Sequence, residues 1–235
     1  LYYKAYPGNM HDSKLFASIA GEMMAALGEL NPAKKRMTVV FDKGVNSPDN
    51  MEFIDDRPHI HFITTYSLHN APDLADADLK NFAPLDIPQN RKLEEKGKGK
   101  DKILAWRTRR TLWGKERAIV VTYNPVTARK QQYTFNQKLD ALRDTLLEYS
   151  ANHRLKEPHW RDPETIRERY LRACEELYIG SQYYRVEFAD GEMSFRKDAW
   201  QVALAQAAFG KNIIVTDNLD WSNEDIVQFS LDRYI

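Results

Sequence analysis

The chain has 235 residues, 43% of them apolar and 29% charged, enough to build a hydrophobic core as one large domain or as a core with a substantial insertion. Lys plus Arg balance Asp plus Glu at 34 each, so global basic charge is excluded and any nucleic-acid partner must be met by local patches. Cys174 is the only cysteine, which excludes an internal disulfide and suits a reducing compartment, and no apolar run approaches the roughly 18 residues of a membrane helix. Leu1 to Tyr6 reads as a short aromatic strand closed by Pro7-Gly8-Asn9. A helix capped by Asn9 or Asp12 follows, with Leu15, Ile19, Met23 and Leu27 recurring every fourth residue until Asn31-Pro32 ends it. Met37 to Phe41 is the next strand, and it stops on a single carboxylate, Asp42, followed by Lys43 and Gly44. Ser47 as cap and Pro48 at the first helical position predict a helix to about Asp56. His59 to Leu68 predicts another strand.

Strands alternating with helices argue for an α/β sheet with parallel neighbours. The texture changes after His69. Residues 70 to 100 are rich in Asp, Pro, Asn, Lys and Gly, and Glu94 to Lys102 (EEKGKGKDK) reads as a solvated loop. Strands near Ile103 to Trp106 and Ala118 to Tyr123 come next, then helices over Asn136 to Ser150 and Pro163 to Tyr178. A hairpin, Gln182 to Phe188 with Glu192 to Arg196, turns at Ala189-Asp190-Gly191. A helix around Trp200 to Phe209 leads to the strand Asn212 to Thr216. This layout predicts a first core part at 1–69, an α+β insertion at 70–211 and a return to the core at 212–235.

Asp42 admits two readings. Ligands of open α/β sheets gather outside the carboxyl ends of strands, and a strand-end carboxylate there can ligate Mg²⁺ through oxygen. The same residue can equally cap a turn. The residues around it resemble a known family. VVFDKGVNSPDN, preceded by YPGNMHDS and followed by IHFITTYSL, is similar to the middle of bacterial insertion-sequence transposases of the DDE type, in the IS-four-like branch. The resemblance implies an RNase H-like core, a mixed sheet with flanking helices, interrupted by a large insertion. It makes Asp42 the second catalytic carboxylate and a ligand of Mg²⁺ (or Mn²⁺), with Lys43 and Gly44 beside it. Near the far end, IIVTDNLDWSNEDIVQFSLDRYI resembles the return strand and the helix bearing the third carboxylate. The helix signature Tyr-x-x-Arg-x-x-x-Glu, aligned on Arg233, puts Ser230 where Tyr is expected and the Glu two residues past Ile235. The first Asp would precede Leu1, so the chain is expected to be a fragment with one of three ligands.

By the same resemblance the reaction is nicking of transposon ends and their joining to target DNA in the bacterial cytosol. The DNA partners are terminal inverted repeats and target, and transposases of this kind act as homodimers on paired ends. A non-catalytic DNA-binding relative, or a nuclease of the same core fold, is the alternative. Residues 91–117 carry eleven basic against four acidic side chains, about +7, and include Arg107, Arg109 and Arg110. They read either as a DNA-tracking surface or as a solvated loop. Trp106 and Trp113 read as core, and Lys43 and Arg233 as phosphate contacts. His59 and His61 read as surface histidines, Cys174 as a buried small residue and Asp225 as half of a capping box with Ser222. Asp217 is the least bland of the remaining carboxylates.

Overall fold

The computed structural model describes residues 21–22 and 35–232. The expected strand at 1–6, the turn and cap at Pro7 to Asp12, the helix that follows them and Arg233 lie outside the described residues, Gly21 and Glu22 of that helix excepted. The chain divides into two compact units: one runs to Pro125 and resumes at Lys211, the other is Val126–Gly210.

The first unit is a mixed α/β layer structure. Its strands are β1 (Met37–Phe41), β2 (Ile60–Tyr66), β3 (Ala83–Pro84), β4 (Leu104–Leu112), β5 (Lys115–Tyr123) and, from the end of the chain, β8 (Lys211–Thr216). They form one six-stranded sheet in the order β1-β2-β8-β5-β4-β3. β1 and β2 are parallel, as the strand–helix–strand pattern predicts, and every other pairing is antiparallel. Helix α1 (Pro48–Asp55) makes the β1–β2 crossover; the Ser47 hydroxyl accepts from Asn50 N, and Pro48 opens the first turn. The central strands are buried on both faces, which is why they read as apolar runs rather than as alternation. On one face Phe62, Ile119, Val121, Ile213 and Val215 pack with Met51 and Ile54 of α1. On the other, Ile63, Val120 and Ile214 pack with Ile226 and Val227 of the C-terminal helix, Asn223–Asp232.

The unit boundaries differ from those expected. The break falls at Pro125 and Val126, not at 69 and 70, because β5 pairs with β8 over six residues and carries β4 and β3 into the same sheet. β4 and β5 are also longer than expected, closing at a two-residue turn in which Trp113 (φ 52°) and Gly114 (φ 77°) are left-handed. Lys-rich residues 91–101 contain helix structure, Pro88–Glu95, before a short 3₁₀ turn at Gly99–Asp101.

The second unit contains a 30-residue helix, Pro125–Arg154, longer than the expected Asn136–Ser150 at its N-terminal side. Leu139, Leu142 and Leu146 of that helix meet Ile166, Tyr170 and Cys174 of the helix Pro163–Glu176. Its hairpin, β6 (Tyr184–Ala189) with β7 (Glu192–Lys197), turns on left-handed Asp190 and Gly191. Helices of the chain are numbered in order: α2 Pro72–Ala75, α3 Pro88–Glu95, α4 Pro125–Arg154, α5 Pro163–Glu176, α6 Ala199–Ala207 and α7 Asn223–Asp232.

Asp198 caps α6, accepting from Gln201 N at 3.1 Å, and pairs with Arg185 at 2.7 Å. The Gln201 amide, then Arg185, holds its carboxyl below the ordinary carboxylate value. A carboxylate whose pKa is lowered by folding contributes stability above its unfolded pKa of about 3.9 and loses it as pH falls through the folded value. Urea unfolding followed from pH 6 downwards is therefore expected to show wild type above Asp198→Asn near neutrality, with the gap closing below about pH 4.

Candidate active site

β1 ends on Phe41, and Asp42 continues its extended backbone (φ −84°, ψ 161°) into a 3₁₀ turn at Lys43–Val45. The exposed Asp42 carboxylate caps that turn: its Oδ1 accepts from Lys43 N at 2.7 Å. The turn-cap reading is thus correct as far as it goes. A second contact comes from the neighbouring parallel strand. Thr65 Oγ1 donates to the same Oδ1 at 2.7 Å and lies 3.1 Å from Lys43 N. Thr65 is itself buried, and its carbonyl accepts from Asn46 Nδ2 at 2.8 Å. Asn50 Nδ2 of α1 reaches the Val45 carbonyl at 2.7 Å. The loop after β1 is therefore tied to both the end of β2 and the start of α1, and the carboxylate is aimed by a rigid frame.

A cleft of about 370 Å³ opens beside it, lined by Asp42, Lys43, Thr65, Ser67, Lys211 and Asn212. Lys211 opens β8 at this edge of the sheet, since β8 runs antiparallel to β2 with Ile213 opposite Tyr66. Its Nζ donates to the carbonyls of Ala75 at 2.5 Å and Ala77 at 2.8 Å, and burial pushes the amine below its ordinary pKa. β8 leaves the Asp42 edge and ends opposite Ile63, and α7 then packs back over the β2, β8 and β5 face. Ser230, at the position where the resemblance expects Tyr, is buried against that face, five per cent exposed.

The arginines expected to meet DNA are otherwise engaged. Arg107 sits at the level of Thr65 through the register Thr65–Ile214–Val120–Arg107, about 14 Å across three strand spacings. Its guanidinium donates to the carbonyls of Trp221 at 2.5 Å and Leu219 at 2.8 Å, closing the turn after β8. Burial, and then Arg109, lowers its pKa. Arg109 pairs with Glu116 at 3.3 Å, Arg110 with Asp73, and Arg117 with Asp55. Arg91 and Lys102 are likewise paired, with Asp86 and Glu94. The exposed cations of this stretch with no ion pair among the described residues are Lys92, Lys96, Lys98 and Lys100. They lead into β4, whose first residue Leu104 lies opposite Tyr123, and Tyr123 opposite Lys211, at the Asp42 edge. Arg107→Met is accordingly expected to lower stability by about 1–3 kcal/mol in denaturant unfolding, because two buried-side carbonyls lose a charged donor.

Asp217, Asp220 and Asp225 have partners within the protein. Asp217 accepts from Phe62 N at 2.9 Å and meets His61 Nδ1 at 2.9 Å, several residues down β2 from Thr65. Asp220 pairs with Arg36, which lowers its pKa, and Asp225 and Ser222 form the expected capping box. Trp113 packs on Phe62 and Tyr66, and Trp106 on Phe82, as core residues do. Sequence reasoning missed Thr65, although the parallel pairing of β1 with β2 is the signal that would have found it: Phe41 opposite Thr64 sets Asp42 beside Thr65.

Among the described residues no group of three or more His, Cys, Asp or Glu could hold a metal ion. Asp42 supplies one oxygen-donor carboxylate, and Mg²⁺ completes its octahedral shell with further oxygens, several of them waters. Among the described residues no helix is long and apolar enough to cross a membrane. No family model, curated protein or solved structure matches the chain.

Proposed function

We propose that the chain is part of a DDE transposase, with Asp42 as the second of three catalytic carboxylates. In this reading the six-stranded sheet is an RNase H-like core, and the first and third carboxylates come from residues before Leu1 and after Ile235. The single observation that carries the proposal is the placement of Asp42: at the carboxyl end of β1, beside the parallel strand β2, with its Oδ1 held by Thr65. Turn capping alone is satisfied by the Lys43 amide, and the added buried hydroxyl is what a carboxylate needing a fixed direction would require.

The substrates are then transposon-end and target DNA, the cofactor Mg²⁺ or Mn²⁺, the compartment the bacterial cytosol, and the assembly a homodimer on paired ends. Within the described residues the part of this chain is to aim Asp42 and to present Lys43 to phosphate. Arg109 and Arg110, ion-paired but reachable from solvent, and the exposed Lys92, Lys96, Lys98 and Lys100 are the DNA contacts in this reading, while Arg107 also holds the turn after β8. Metal-dependent nicking and joining of end DNA by the protein with its flanking residues tests the reading. Nicking without joining would favour a nuclease, and binding without either a non-catalytic relative.

A further inference from the structure

The second unit carries a cleft of about 400 Å³ that the Asp42 reading does not use, within the range of small-ligand sites. Its floor is aromatic and apolar. Phe135 meets the rings of Tyr183 at 5.0 Å and Phe209 at 5.3 Å, both edge to face, and Ile179 lines the cleft beside them. Its rim is cationic. Lys130, Thr134 and Lys138 stand at four-residue spacing on one face of α4, so both ammonium groups border the same opening. Lys138 Nζ donates to the Tyr178 carbonyl at 3.0 Å, which leaves two of its three N–H groups for a ligand. Lys130 is exposed and has no ion pair among the described residues.

Tyr178 is the least ordinary member. It is 87% exposed and left-handed (φ 50°), just past the end of α5, with the Lys138 ammonium 5.8 Å from its ring centroid. The backbone conformation closes α5, Ile179 N donating to the Cys174 carbonyl at 2.9 Å, and it leaves the Tyr178 ring outside the core, beside two lysines and an apolar floor. Gln131, also lining the cleft, is fixed by accepting from Gly210 N at 2.7 Å, and its amide N–H groups stand available to a polar ring edge.

A flat aromatic surface, two cations and a fixed amide donor suit a ligand that is planar at one end and anionic at the other. We propose that this cleft binds a nucleotide, the base against Tyr178 and the aromatic floor, the phosphate between Lys130 and Lys138. The proposal does not depend on Asp42. A free nucleotide and one nucleotide of a single DNA strand share this chemistry, and both probes are needed.

The test is a titration of the whole chain with thymidine monophosphate, with a fluorescein-labelled four-residue thymidine strand, and with inorganic phosphate. Saturable binding of the nucleotide or the strand is expected, with mutual competition and phosphate alone far weaker. Tyr178→Ala is expected to weaken binding about 5- to 150-fold, the range for loss of one base–aromatic stack. Lys130→Gln with Lys138→Gln should flatten the salt dependence. Much tighter binding of the strand identifies a strand nucleotide, and equal binding a free one. Absence of saturable binding, binding unchanged in Tyr178→Ala, or phosphate competing as well as the nucleotide would overturn the proposal.

Discussion

Asp55→Ala is expected to destabilise the sheet unit by about 3–5 kcal/mol, the cost of breaking a buried ion pair by removing one partner. Asp55 closes α1 and its carboxylate lies 2.5 Å from Arg117 Nη2, on a side chain only two per cent exposed. Arg117 also lies 5.1 Å from the Phe62 ring, and its Nε reaches the Leu112 carbonyl at 3.4 Å. Lys115 shares the same carboxylate at 3.6 Å, so alanine would leave two cations facing one another. The guanidinium would remain against an aromatic wall with no counter-charge. Urea unfolding checks this, and a second variant isolates the cause. Combining Asp55→Ala with Arg117→Met is expected to recover most of the loss, because a matched apolar replacement removes the stranded charge. The exposed pair Arg91–Asp86, at 2.6 Å, is the contrast: Asp86→Ala should leave the unfolding midpoint nearly unmoved.

Much of the frame around Asp42 was legible in the chain. The apolar run at residues 37–41, the Ser47-Pro48 start and the parallel pairing of the two strands all follow from local rules that tertiary packing did not override. The β4–β5 turn was not legible, because Trp113 is a poor choice for a left-handed position. Its ring contacts with Phe62 and Tyr66 offset that cost, and such contacts are invisible until the sheet is assembled. The unit boundary was missed for a related reason. Charged texture suggested an insertion from residue 70, whereas β5 pairs with β8 across ninety residues of sequence and keeps β4 in the sheet. The ion pairs of the arginines were not legible either. A net of about +7 on residues 91–117 counts side chains inside that stretch, and the partners Asp55, Asp73 and Asp86 lie outside it.

Asp42→Ala is expected to slow DNA nicking about a thousandfold or more while leaving the fold intact, the scale seen when one member of an interdependent site is lost. The carboxylate is exposed, so its removal costs little packing, and the turn it caps keeps the Asn46 and Asn50 ties. Thr65→Val should act on the same step through Asp42, and Thr65→Ser, which keeps the hydroxyl, should act much less. The most direct measurement is nicking of a plasmid carrying the DNA that flanks the coding sequence. The protein is extended by its flanking residues on both sides and supplied with Mg²⁺, as wild type and as Asp42→Ala. Nicked product is expected from wild type and a near-complete loss in Asp42→Ala, with DNA binding in a gel shift retained by both. Equal nicking by the two proteins would contradict it, and Asp42 would then be a turn cap and nothing more.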